Sequence, residues 1–389
     1  MQSADVTGHE SLYEGASKQP YASPKHAGLH STSGQFPTRA QMRVRMYPPL
    51  PQQIAADGRA RHLLALPATV DPSEVEILAR SRFAAPRRAA GHGEVNTDDG
   101  LQLSRHSTVH GPYSPRGEGF SPGLPDNTAM VFDIDTPRER WDDAPLSGCG
   151  DRDGLARAFP AGLPNREEER VVTWLIAAAR RLGGSVRLDV GAMWLPFGTF
   201  DFAAPVGAGV ILTPDPGAAV DLTVYSTVWL KPDACEQVAR SVHPGAMLSM
   251  SGAEYRGPDP DLVALNPELH VNADAFDAAV LAAPIVLDGY GVTIDLGGDG
   301  VIAVEAMGED HPPLVLADTS WVANGLVRYD VRYFPPDDAE ANREFPGEEY
   351  LLQRRAAALL IARLVRALWE VTGGEIADEA GFLLNPEDL

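Results

Sequence analysis

The sequence predicts an α+β fold: two related strand–helix–strand units around mixed sheets, preceded by a disordered N-terminal segment. Three observations carry this prediction. Strand-like and helix-like apolar periods alternate only after about residue 128. Composition changes abruptly at the same place. Finally, "LGGSVRLDVGAMWLP" (182–196) is echoed 190 positions later by "TGGEIADEAGFLLNP" (372–386). Gly183, Gly184, Gly191 and Pro196 meet Gly373, Gly374, Gly381 and Pro386, while Val186 meets Ile376 and Asp189 meets Glu379.

Residues 1–125 hold 13 Lys/Arg and 11 Asp/Glu of the chain's 32 and 54, which leaves 19 basic against 43 acidic residues, or −24, for the remainder. All six Trp lie in that second part, and seven of the ten His in the first. A stretch rich in Ser, Pro, Gly, Arg and His, without an apolar period, buries too little surface to offset the entropy of ordering it. Residues 1–127 are therefore expected to be disordered or non-native. Met130 opens "MVFDID" where globular patterning begins, so translation has two expected starts, at Met1 or near Met130. One exception is "VDPSEVEILARS" (70–81), a short helix with Asp71 as cap, Pro72 at its first position and Glu74 at its third. His26/His30 and His106/His110 have the i, i+4 spacing of a metal-binding helix face. The residues between them form helices poorly and bring no carboxylate, so no metal site is expected.

Beyond the boundary, "TAMVFDID" (128–135) reads as a strand. "NREEERVVTWLIAAARRL" (165–182) reads as a helix with an Asn cap, acids in its first turn, Arg in its last and Gly-Gly as its stop. "SVRLDV" and "DLTVYSTVWL" (221–230) are strands, and "PDACEQVARSV" (232–242) is a short helix opened by Pro232. In "YGVTIDLGGDGVIAVEAM" (290–307) two alternating runs flank "GGDG", the pattern of a β-hairpin. "LVRYDVRYF" (326–334) alternates as a strand with one buried and one wet face, and 348–371 is a long helix striped by Leu352, Ala356, Leu360, Leu364 and Leu368. Each copy of the echo thus follows a strand and an acidic-start helix. The expected organisation is an internal duplication, with units at 128–252 and 253–389 and each echoed run lying beside the earlier strand of its unit.

"VFDID" followed by "TP" resembles the haloacid-dehalogenase-like hydrolases, in which a strand ends in Asp-x-Asp-x-Thr/Val. The resemblance implies a phosphoryl-accepting nucleophile at Asp133 and a general acid at Asp135. Pro137 stands where that family has Thr or Val, and "RERWDD" follows instead of a Gly-rich loop. Glu305 is a second candidate, because on the return strand of the hairpin it is expected to fall across from Val292 on an apolar surface, where a carboxyl pKa rises. His311, beside Glu309 and Asp310, is a third, as an acid–base group in a bend before Pro312. His243 likewise precedes a proline, without acidic neighbours of that kind, His270 is the third histidine of this part, and Ser251 lacks a nucleophile elbow. "GGDG" lacks the Lys-Ser/Thr of a phosphate loop, and the two cysteines, Cys149 and Cys235, have neither ligand-spaced partners nor an adjacent base, so no cofactor or metal is expected.

A formal charge of −22 opposes nucleic-acid binding, which needs a basic face. The most apolar long run, "AAALLIARLVRAL" (356–368), is too short and too charged to span a bilayer, and "MQSADVTGHE" lacks the basic start and apolar core of a secretory signal. The expectation is an acidic, cytoplasmic, non-enzymatic binding or regulatory protein that takes a basic protein partner. The alternative is a phosphatase-like hydrolase using Asp133 and Asp135.

Overall fold

The computed structural model describes residues 47–51, 58–84, 86–88, 100–115, 123–146, 150–190, 209–249, 289–317 and 319–389. His26, His30, Cys149, Gly191, Pro196, Ser251 and His270 lie outside the described residues.

Among the described residues the chain forms two seven-stranded sheets, each with helices on one face. In the first unit the elements run β1 (Arg59–Pro67), α1 (Ser73–Arg82), β2 (Arg87–Arg88), β3 (Leu101–Gln102), β4 (Thr108–Tyr113), β5 (Thr128–Pro137), α2 (Leu155–Ala158), α3 (Arg166–Leu182), β6 (Ser185–Leu188) and β7 (Val210–Leu212). The second repeats that order with β8 (Leu222–Ser226), α4 (Pro232–Val242), β9 (Ala246–Leu248), β10 (Gly289–Asp295), β11 (Val301–Glu309), β12 (Leu326–Phe334), α5 (Asp338–Ala341), α6 (Glu348–Thr372), β13 (Glu375–Asp378) and β14 (Leu383–Leu384). Strand order is the same in both: β7-β6-β1-β5-β4-β3-β2 in the first and β14-β13-β8-β12-β11-β10-β9 in the second.

The class is α+β, as the periodicities predict, but four expectations are corrected. The sheets are not mixed, since every pairing between these strands is antiparallel. Residues 59–84 and 100–113 are not part of a disordered or non-native segment: they supply β1, which lies between β5 and β6, together with α1 and β4. A chain begun near Met130 would lose the strand that joins β5 to β6, and the boundary between units falls between β7 and β8, not at 252/253. The echoed runs accordingly lie beside β1 and β8, which separate them from β5 and β12.

The echo nonetheless occupies matching positions. Val186 pairs with Leu64, which pairs with Phe132, while Ile376 pairs with Val224, which pairs with Tyr329. Gly183 ends α3 with φ +63° and Gly373 ends α6 with φ +65°, their N–H groups donating to Ala179 O and Trp369 O respectively. A Cβ on Gly184 would stand 2.5 Å from Ala65 O, and one on Gly374 2.0 Å from Tyr225 O, which are the carbonyls of corresponding residues in β1 and β8. Glycine is required where the chain leaves each helix and at once passes close to the central strand.

A second echo becomes visible only with the elements in hand. "DPSEVEILARSR" (71–82) and "KPDACEQVARSV" (231–242) stand 160 apart and share Pro72/Pro232, Glu76/Glu236, Ala79/Ala239, Arg80/Arg240 and Ser81/Ser241. Each carries the same one-turn ion pair, Glu76–Arg80 at 2.8 Å and Glu236–Arg240 at 2.9 Å. In the turn before α1, Asp71 Oδ1 accepts from Ser73 N–H (3.0 Å) while Asp71 N–H donates to Glu74 Oε1 (2.9 Å), and the helix begins at Ser73, one residue later than the sequence predicts.

Helix burial follows the sheet-facing stripe. In α3, Val171, Trp174, Leu175, Ala178 and Leu182 are buried, with Trp174 edge-on to Phe83 at 5.7 Å. In α6, Leu360, Leu364 and Leu368 are buried, but Leu352 and Ala356, expected on the same stripe, face outward, because a residue every fourth position drifts round a helix of 3.6 residues per turn. The units meet where Phe382, in the turn between β13 and β14, inserts into the core of the first unit. Ion pairs Arg152–Glu379 (2.7 Å), Arg157–Glu344 (2.6 Å) and Arg354–Asp215 flank that contact.

Candidate functional site

The sheet face away from the helices carries the predicted carboxylates. Strand alternation puts Asp133 and Asp135 of β5 on that face together with Arg59 and Arg61 of β1, whose register sets Arg61 opposite Asp135 and Leu63 opposite Asp133. Asp133 is buried, with only 2% of its side chain exposed, and is held by both the Nε (3.2 Å) and the Nη2 of Arg61. Asp135 accepts from Arg59 Nε at 2.8 Å and lies 3.4 Å from Arg61 Nη1. His110 of β4 is the register partner of Asp133 on the other side. This is a neutralised charge ladder in mid-sheet. A carboxylate nucleophile needs an open approach and a free lone pair, whereas a buried carboxylate locked to a guanidinium offers neither.

The second sheet has a counterpart. Register places Asp330 where the first unit has Asp133, Arg332 where it has Asp135, and Glu305 where it has His110. Asp330 is buried and accepts from Thr223 Oγ1 (2.8 Å) and Arg332 Nη2 (2.9 Å), and it forms an ion pair with Arg328 at 3.0 Å. Each open face is thus centred on a buried aspartate between arginines. In the first sheet the arginines come from the neighbouring strand, and in the second from the same strand.

Glu305 therefore sits differently from its expectation. The hairpin loop spans five residues, 296–300, closed by Leu296 N–H to Gly300 O at 2.9 Å, and this shifts the register by one. Glu305 pairs with Gly291, while Val292 pairs with Val304 on the core face. Its carboxylate is 41% exposed and 3.9 Å from Arg332, a solvated member of the ladder. His311 is exposed, and its backbone N–H donates to Glu309 Oε1 (3.1 Å), which is engaged with Arg328 through its other oxygen (3.0 Å). The four candidates are not brought together: Asp133 and Asp135 belong to the first sheet, Glu305 to the second, and His311 follows β11. Among the described residues no group of three or more His, Cys, Asp or Glu is placed to hold a metal ion.

One arrangement that looks catalytic escaped the sequence reading. His62 of β1 and Glu168 of α3 are both fully buried, with His62 Nε2 3.5 Å from Glu168 Oε1. Asp189 N–H donates to His62 Nδ1 (3.1 Å), so in neutral His62 the proton is assigned to Nε2, facing the carboxylate. Glu168 also accepts from Glu139 N–H (2.7 Å) and Arg140 Nη2 (2.9 Å). Burial alone would raise the Glu168 pKa, but hydrogen bonds from His62 and Arg140, with the Arg140 charge, outweigh it and hold the carboxyl below its usual range. Fully enclosed, the pair ties β1, α3 and the residues after β5 together. Cys235 is buried as well, and burial pushes its thiol up to about 11.

The exposed carboxylates gather elsewhere. At one end of the second sheet, the β10–β11 loop meets the end of β12 and the start of α6: Tyr333 OH donates to Asp299 O (2.8 Å) and Gln353 Nε2 to Asp299 Oδ1 (3.1 Å). Asp295, Asp299, Asp337, Asp338 and Glu349 are exposed at this end, and Glu340 is half-buried and ion-paired to Arg343 at 2.6 Å. Phe334 is 47% exposed and Phe345 80% exposed beside them in sequence. Among the described residues, no helix is long and apolar enough to cross a membrane. No protein-family model, curated protein or solved structure matches the chain.

Proposed function

We propose that this protein is a non-enzymatic binding protein of the cytoplasm that holds a basic protein partner on the acidic end of its second unit. The observation that carries this reading is the gathering of exposed Asp295, Asp299, Asp337, Asp338 and Glu349 at this end of the sheet, with exposed Phe334 closing β12 and exposed Phe345 following in the chain. The carboxylates supply long-range attraction for Lys and Arg, and the rings supply apolar and cation–π contact for the same side chains. Nucleic acid is repelled by the same charge. The hydrolase alternative is not taken further, because Arg59 and Arg61 already engage Asp133 and Asp135. We also infer that the two units descend from one ancestral unit, since element order, strand order and two sequence echoes coincide.

Binding of Lys/Arg-rich peptides and proteins to the full chain tests the reading. Affinity should fall as salt shortens the reach of charge to about 8 Å at physiological strength. Asp337→Lys with Asp338→Lys should weaken it at least about tenfold, equivalent to about 1.4 kcal/mol. Binding that ignores both salt and these substitutions would overturn it.

A further inference from the structure

The helices α3 and α6 occupy the same place in their units, yet their outer faces differ. On α3 the exposed residues are Arg166, Glu169, Arg170 and Thr173, an ordinary solvated surface. On α6, Leu352 is 65% exposed and Leu359 66% exposed, with exposed Ala356 between them. Their spacing of seven is that of a helix seam meant for another helix. Glu348 lies at the N-terminal end of the seam, Arg355 at its middle and Arg363 and Arg366 further on, with Glu370 in the last turn. Among the described residues Glu348 and Arg363 make no ion pair, and Arg366 makes one at 3.5 Å to exposed Glu370. Helix propensity and capping give no reason for leucines on the solvent side.

We propose that this seam is the contact between two copies of the chain, packed antiparallel about a two-fold axis passing near Arg355 and Ala356. In that arrangement Leu352 of each copy faces Leu359 of the other, and Glu348 faces Arg363. The surface is self-complementary, as a two-fold contact requires, whereas a parallel pairing would set like charges side by side. Arg355 lies next to the axis, where its stem covers the leucines and its guanidinium reaches water. A contact along about five helical turns buries on the order of 1,000 Å² in total, at the weak end of specific interfaces. A contact of that size makes a reversible dimer.

Sedimentation velocity of the full chain from low micromolar to about 500 μM, a range that covers weak association, should show a monomer–dimer equilibrium. Leu352→Glu with Leu359→Glu should give monomer throughout with an unchanged thermal midpoint, since both positions are solvent-facing. Glu348→Arg alone and Arg363→Glu alone should each weaken association several-fold, and the two together should restore it. A chain that stays monomeric at the highest concentration overturns the proposal. So does a dimer that survives the leucine substitutions, or a double charge swap no better than the single ones. The acidic-end reading is unaffected by any of these outcomes.

Discussion

Replacing Phe382 with Ala should damage the first unit from a residue that belongs to the second. Phe382 is only 1% exposed and lies in the core that contains Leu188, Val171 and Trp174. A buried phenylalanine covers about 150–200 Å². At about 25 cal/mol per Å² this gives roughly 4–5 kcal/mol for the whole side chain, and Phe-to-Ala changes in cores cost about 3–5 kcal/mol. The turn itself should survive, because Asp378 shapes it by accepting from Ala380 N–H (3.0 Å) and Phe382 N–H (2.9 Å). The neighbouring Arg152–Glu379 pair is about one-third exposed and contributes less than about 1 kcal/mol, so it cannot compensate. Urea denaturation of Phe382→Ala should therefore show a loss of about 3–5 kcal/mol, and Phe382→Leu a loss below about 1.5 kcal/mol. Hydrogen exchange should quicken in α3 and β6, next to the cavity, more than in β11 and β12. A loss under about 1 kcal/mol, or exchange that quickens uniformly, would refute the view that this ring joins the two units.

Two further outcomes follow from particular residues. Burial raises the Asp221 carboxyl to about 6, although it accepts from Tyr333 N–H at 2.9 Å. A raised acid contributes stability that is complete below its unfolded pKa of 3.8 and is lost as pH rises through about 6. Asp221→Asn should thus match the parent near pH 4 and exceed it by about 1–3 kcal/mol at pH 8; thermal melts at the two values check this, and equal effects at both would contradict it. At the helix exits, Gly183→Ala meets nothing within 4 Å and should cost about 1–2 kcal/mol for its left-handed φ, whereas Gly374→Ala drives a Cβ to 2.0 Å from Tyr225 O and should cost more than about 3 kcal/mol. Equal losses in urea melts would show that the close approach to β8 is not the cause.

What the sequence by itself determined is what short stretches of chain can specify. The bounds of α3, α4 and α6, the Asp71 turn before α1, the hairpin of β10 and β11 and the glycine exits rest on caps, periods and turns within a few residues of one another. The repeated exit was readable because glycine's freedom is a local requirement. Tertiary structure alone decided the rest. β1 was hidden because five consecutive residues, His62 to Leu66, are buried on both faces of a central strand, so no alternation marks it. Its arginines read as part of a Ser-, Pro- and Arg-rich segment without apolar period until Asp133 and Asp135, more than 70 residues away, pair with them. The two-residue strands β2 and β3 exist only through their neighbours in the sheet. Asp133 and Asp135 were legible as a pair of carboxylates, but whether they stood free or locked depended on strand register. That register is set by the pairing of β1 with β5 across more than 70 residues, and the loop one residue longer than it reads does the same for Glu305 in the second sheet; no local pattern encodes either.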